Sequence, residues 1–178
     1  MPRAAHRSVL ALLAALALPA CNGSTDFTVN ELLTVDSSTT SYDGPFQVDL
    51  SQYKTAWDNR KHIKSLSIDA ASVQGTIATV DAGNAASTGS GSLALRPDGG
   101  PTDGSEDVEI GSISNAAISP GTTYTVDGTN MPAASALLEG ALKGSGKFSL
   151  VAHGTANAAP VNFTVDATLK VHVKYSVF

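Results

Sequence analysis

Between residues 161 and 177 the chain reads VNFTVDATLKVHVKYSV. Val161, Phe163, Val165, Ala167, Leu169, Val171, Val173, Tyr175 and Val177 alternate with Asn162, Thr164, Asp166, Thr168, Lys170, His172, Lys174 and Ser176. Side chains of a β-strand point to opposite faces in turn, so this pattern predicts a strand with one buried and one wet face. It far exceeds the roughly 5–6 residues of a usual strand, so it is expected to bend, to carry a bulge or to serve two sheets in turn. Gly146, Phe148, Leu150 and Ala152 alternate in the same way, and GTANAAP separates the two runs. Together they read as an antiparallel hairpin.

Further strand candidates are 27–35, 46–50, 63–70, 73–80, 92–96, 108–118 and 124–127. Seven to nine short strands with turn signals between them predict a mostly β chain, an antiparallel immunoglobulin-like β-sandwich or a barrel, rather than βαβ units. DAGNAASTGSG and RPDGGPTDGSED are rich in Gly, Ser, Asp and Pro and are expected as exposed loops. Two short helical insertions are expected. One is SQYKTAWDNRKH, capped by Ser51. The other is MPAASALLEGALKG, with Asn130 as N-cap, Pro132 in its first turn, Gly144 as its stop, and Leu137, Leu138, Ala141 and Leu142 on a core-facing side.

At the start of the chain, Arg3 and Arg7 precede an apolar run from Val9 to Leu18 and then small residues. This is the layout of an export signal. The apolar run is about half the ~20 residues a membrane-spanning helix needs. Leu18, Pro19, Ala20 and the single cysteine, Cys21, resemble the lipobox of bacterial lipoproteins. The resemblance covers these residues alone. It implies cleavage after residue 20, acylation of Cys21 by palmitate-type chains on its sulfur and new amino group, and attachment to the cell envelope through lipid. Asn22, rather than Asp, implies sorting to an outer membrane. The implied organisation is a signal peptide at 1–20, a lipid-anchored tether at 21–45 with room for a first strand in FTVNELLTV, and a β-sandwich domain at 46–178. The Ser/Thr-rich DSSTTSYDGP has too little apolar surface to order itself alone.

An acylated Cys21 leaves no free thiol, which excludes disulfides, thiolate metal ligands and a cysteine nucleophile. Removing residues 1–20 takes two arginines and no acid, leaving nine Lys and Arg against 16 Asp and Glu, a net charge of −7. Nucleic-acid binding needs clustered cations, so that ligand class is excluded.

Motifs for chemistry are sparse. GALKGSGKF departs from the phosphate-binding loop: from Gly140 the second Gly falls at Ser145, and Phe148 stands where a hydroxyl must hold magnesium. Neither Ser90 nor Ser145 sits in a G-x-S-x-G elbow. His62, His153 and His172 are the imidazoles downstream of the signal, and a dispersed triad would have to assemble from them in the fold. His172 shares a polar strand face with Lys170, Lys174 and Asp166, and two lysines repel a cation. His153 would sit beside it across the hairpin. RPDGGPTDGSEDVE is the most acidic window. Its Asp98, Asp103, Glu106 and Asp107 are the calcium candidates, although the EF-hand register is absent. RKHIK at 60–64 is the one basic cluster, read as a solvated helix end or as a contact for anionic headgroups or glycans.

These readings point to a non-enzymatic, cofactor-free envelope lipoprotein. Its sandwich would act as a structural module or bind a protein or cell-wall polymer. The alternatives are a carrier of a small hydrophobic ligand or lipid and, third, a hydrolase. Inward positions are Val, Leu, Ile and Ala with only 6% aromatics in the chain, which favours a filled core over a ligand cavity.

Overall fold

A computed structural model describes residues 22–177; Cys21 and the expected signal peptide at 1–20 lie outside the described residues. The described residues form nine strands: β1 (Asn22–Ser37), β2 (Ser41–Asp49), β3 (Ile63–Ile68), β4 (Gln74–Val80), β5 (Thr88–Pro97), β6 (Val108–Ala117), β7 (Thr125–Val126), β8 (Lys147–Ala156) and β9 (Val161–Ser176). Two helices interrupt them, α1 (Lys54–Asp58) and α2 (Met131–Lys143). Every pairing is antiparallel, in a four-stranded and a five-stranded sheet. The fold is a mostly β two-layer sandwich with short helical insertions, as the alternation predicted.

β9 organises the first sheet. β1 runs along one of its edges in unbroken register, from Asn22 opposite Ser176 to Ser37 opposite Val161. β3 and β4 divide the other edge, β3 taking 171–175 and β4 taking 163–168. The long strand thus stays in one sheet. The register shifts fall in its partners, between Ile63 and Ser65 and between Ile77 and Thr79. Two short strands laid end to end beside one long one must each absorb the accumulated twist locally.

β8 belongs to the second sheet, ordered β2-β8-β5-β6-β7. The expected hairpin of β8 and β9 is therefore not formed: the loop between them crosses from one layer to the other. The physical reason is burial. Phe148, Leu150 and Ala152 of β8 and Phe163, Val165 and Ala167 of β9 are all buried in one cluster. Facing sheets bury two apolar strand faces against each other, whereas neighbours in one sheet would need a third element to cover both.

Residues 22–45, expected as a tether, are strand almost throughout, and the expected boundary at residue 46 falls inside β2. Phe27, Val29, Leu33 and Val35 are buried. The Ser/Thr-rich stretch is the β1–β2 turn, where Ser37 Oγ and Thr39 Oγ1 donate to the Ser41 carbonyl at 2.6 and 2.9 Å. Pairing of β1 with β9 and of β2 with β8 supplies the order that composition could not.

The first insertion is shorter than expected. Asp49, not Ser51, supplies the cap, its carboxylate accepting from Ser51 N at 2.8 Å ahead of a single 3-10 turn. α1 follows, and a second 3-10 turn covers Arg60–His62. α2 matches its expected span, with Asn130 and Gly144 at its ends, although the Asn130 side chain makes no cap bond. Leu138 and Leu142 are fully buried, while Leu137 and Ala141 are partly so. Ser135 Oγ accepts the Ile68 N–H at 3.0 Å, so α2 covers the edge of β3.

Candidate functional site

The densest group of titratable side chains lies on the outer face of the second sheet, under the β5–β6 loop. Along β5, Leu93 and Leu95 point into the core, so Ala94 and Arg96 point outward. Arg96 is nevertheless 4% exposed. The loop from residue 98 to 107 folds back over this face: Gly104, at φ +77°, packs on His153, and Asp98 accepts from Gln47 Nε2 at 3.3 Å. The expectation of an exposed loop thus fails at its two ends, Arg96 and Asp107.

Arg96 is held by two carboxylates in forked geometry. Nε and Nη2 donate to Asp107 at 2.7 and 2.9 Å, while Nη1 and Nη2 donate to Asp43 at 3.0 and 2.8 Å. Asp107 first and Asp43 second raise the guanidinium further above its already high range. Paired forks of this kind are among the strongest charge-assisted bonds. They use four of the five N–H donors, so Arg96 has almost nothing left for an anionic ligand. The arrangement is a clasp joining β2, β5 and the loop. His153 Nε2 stands 3.9 Å from Asp107, and Ser92 Oγ donates to Glu109 at 2.5 Å.

This geometry reassigns the calcium candidates. Asp107 is committed to Arg96, Asp103 accepts from Ser105 N at 2.9 Å, and Asp98 faces Gln47. The bond from Ser105 holds the Asp103 carboxyl below its usual range. Glu106 lines a separate groove. Among the described residues, no three His, Cys, Asp or Glu side chains gather as a metal group. Ser92, which lies opposite His153 in register, is turned to Glu109 rather than to the imidazole.

No protein-family model matches the chain, and no curated protein matches it. A solved structure described as Desmodium yellow mottle tymovirus is similar over 99% of this chain and 94% of that one, at 14% identity and a TM-score of 0.27, a likeness too faint to carry an argument.

The outer face of the first sheet holds a second, open cluster. Asp26 lies across from His172, with 2.5 Å between Oδ1 and Nδ1, and Lys170 Nζ lies 3.2 Å from Oδ2. His172 first, then Lys170, lowers the Asp26 carboxyl below its ordinary value. His153 and His172 occupy opposite layers, so the pairing expected of them across a hairpin is absent.

A groove of about 640 Å³ runs between α2 and the β5–β6 loop, with Pro97, Val108, Leu137 and Ala141 as its apolar part and Asp98, Glu106 and Lys147 at its polar part. Between the layers, the inward side chains form one continuous packed cluster. Tyr42 enters that core edge-on to Phe163, 5.4 Å between ring centroids, and burial pushes its phenol up to about 12. Gly91 and Gly154 leave room for its hydroxyl, which a Cβ at either position would crowd.

Sequence reasoning missed Arg96 and Asp43 as partners. The available signal was local: Arg96 continues an alternating run, LALR, straight into a loop that carries carboxylates.

Proposed function

We propose that the protein is a lipid-anchored component of a bacterial cell envelope, held at the outer membrane through acylated Cys21. Its β-sandwich acts without catalysis as a structural module or a binder of an envelope protein or cell-wall polymer. The observation that carries this reading is the basic, apolar and small-residue succession ending in Leu18-Pro19-Ala20-Cys21. A chain with one acyl group binds membranes marginally, and more than one makes the attachment stable. The sandwich therefore needs no membrane-inserting surface of its own.

The packed core favours an interaction module over a carrier, since a carrier of apolar ligands needs an enclosed space of roughly 300 Å³ or more. The saturated Arg96 clasp favours a structural role for the densest charge cluster. The deciding experiment compares the full-length chain with its Cys21→Ser variant in a bacterial host, by intact mass and membrane fractionation. Acyl mass and sedimentation with membranes are expected for the wild type alone. Soluble, unacylated wild-type protein would overturn the anchor.

A further inference from the structure

The nine lysines and arginines from residue 22 onward are unevenly placed. Residues 54–64 carry Lys54, Arg60, Lys61 and Lys64, and residues 170–176 carry Lys170 and Lys174. The fold brings both segments to the end of the first sheet where β1 begins. Lys64 Nζ donates to Asn22 Oδ1 at 2.5 Å, Ser176 Oγ donates to the His62 carbonyl at 3.5 Å, and Lys174 is flanked in register by Ser24 of β1 and Ser65 of β3. Phe27 of β1 stacks on Tyr53, the residue before α1, with 4.3 Å between ring centroids.

Six of nine cations thus share this end. Of the acids there, Asp26 is engaged by Lys170 and His172 and Asp58 by Lys54. Among the described residues, Arg60, Lys61, Lys64 and Lys174 have no carboxylate within 4.0 Å. Arg60 lies 3.9 Å over the Trp57 ring, which fixes its guanidinium at the same end. The acidic β5–β6 loop, by contrast, is folded back toward His153 over the other sheet.

We propose that this basic end is a docking surface for the anionic phospholipid headgroups of the membrane that holds the anchor. Asn22 follows Cys21 directly, so the acyl chains enter the bilayer beside Lys64. Residues one step from the anchor sit within a Debye length, about 8 Å at physiological salt, of the headgroup charges. The body is acidic overall and is repelled by the same surface, so it stands upright with the β1–β2 turn, at the far end of β1, turned away from the bilayer. The inference rests on the acylation of Cys21 for its geometry.

The test uses acylated protein extracted from host membranes and reconstituted into vesicles of phosphatidylcholine alone or with 30 mol% phosphatidylglycerol. Lysines are acetylated briefly and read by peptide mass spectrometry. The expected result is several-fold slower labelling of Lys61, Lys64 and Lys174 on the anionic vesicles, with the protection lost in 0.5 M salt. Equal labelling of the three lysines on both vesicle types would overturn the docking surface and leave the anchor standing. If the chain carries no acyl mass, the soluble protein is sedimented with the same two vesicle types. Salt-sensitive binding to the anionic ones, lost in a Lys61→Gln, Lys64→Gln, Lys174→Gln variant, would retain the docking surface while the anchor falls; equal sedimentation would sink both.

Discussion

Two clusters built from the same chemistry occupy opposite outer faces of the sandwich. On one, Asp43 and Asp107 grip Arg96 beneath a folded-back loop; on the other, Asp26 meets His172 and Lys170 in open water. The Arg96 and Asp107 side chains are 5% and 3% exposed, whereas those of Asp26 and Lys170 are 45% and 48% exposed. Cover, rather than ion pairing, separates them. A charge already removed from water depends on its partner, because losing the partner leaves an unsolvated charge. A charge still in water exchanges one partner for solvent at little cost.

The largest expected effect comes from breaking the covered cluster. Asp107→Ala leaves Arg96 half-paired beneath the loop and is expected to destabilise the fold by about 3–5 kcal/mol, read from urea denaturation. Replacing both partners, Arg96→Met with Asp107→Leu, is expected to recover most of that loss, since an apolar pair of similar volume costs nothing to desolvate. If the double variant is as unstable as the single one, the clasp contributes through geometry rather than through compensated charge.

A smaller loss is expected from disturbing the cover alone. Gly104→Ala places a Cβ at φ +77°, 3.3 Å from the His153 ring, and is expected to cost about 1–2 kcal/mol. Hydrogen exchange should then accelerate at the amides of residues 98–107 while those of β9 keep their protection.

The smallest effect sharpens the contrast from the open side. Asp26 has a lowered pKa when folded, so its contribution is present above its ordinary value of 3.8 and disappears as pH falls through the depressed one. The wild type is expected to exceed Asp26→Asn slightly in thermal midpoint near pH 6, the difference shrinking once the pH falls below 3.8 and closing only below the depressed value. In 1 M salt the Debye length is about 3 Å, so the Asp26 difference should vanish there while the Asp107→Ala loss persists. A salt-insensitive Asp26 effect would show that the open pair is more sheltered than its exposure implies.

The strands were legible because one face of each is buried and period 2 survives in the sequence. Phe27, Val29, Leu33 and Val35 carry that signal even within a stretch expected as tether. Which sheet a strand joins was not legible. β8 and β9 are equally amphipathic, and alternation says which residues face inward without saying from which side of the core. Arg96 escaped for a related reason. Its burial is produced by a loop crossing the wet face of its own sheet, a tertiary event with no periodic trace. Asp43 could be joined to Arg96 only by the fold. Cys21 remains a reading of sequence, carried by four residues and their leader.

β9 also sets the order of events during folding. Its hydrogen bonds to β1 include Asp26 with His172 and Asn30 with Thr168, 146 and 138 residues apart in the chain. β1 therefore has no sheet partner until almost the whole polypeptide exists, and β3 waits for the same strand. Loops of that length must close before their contacts repay the entropy, which places folding in the slow, millisecond-to-second regime of β-rich topologies. A ribosome releases most of this chain before its first sheet can assemble, so the emerging polypeptide stays pliable for as long as its synthesis lasts.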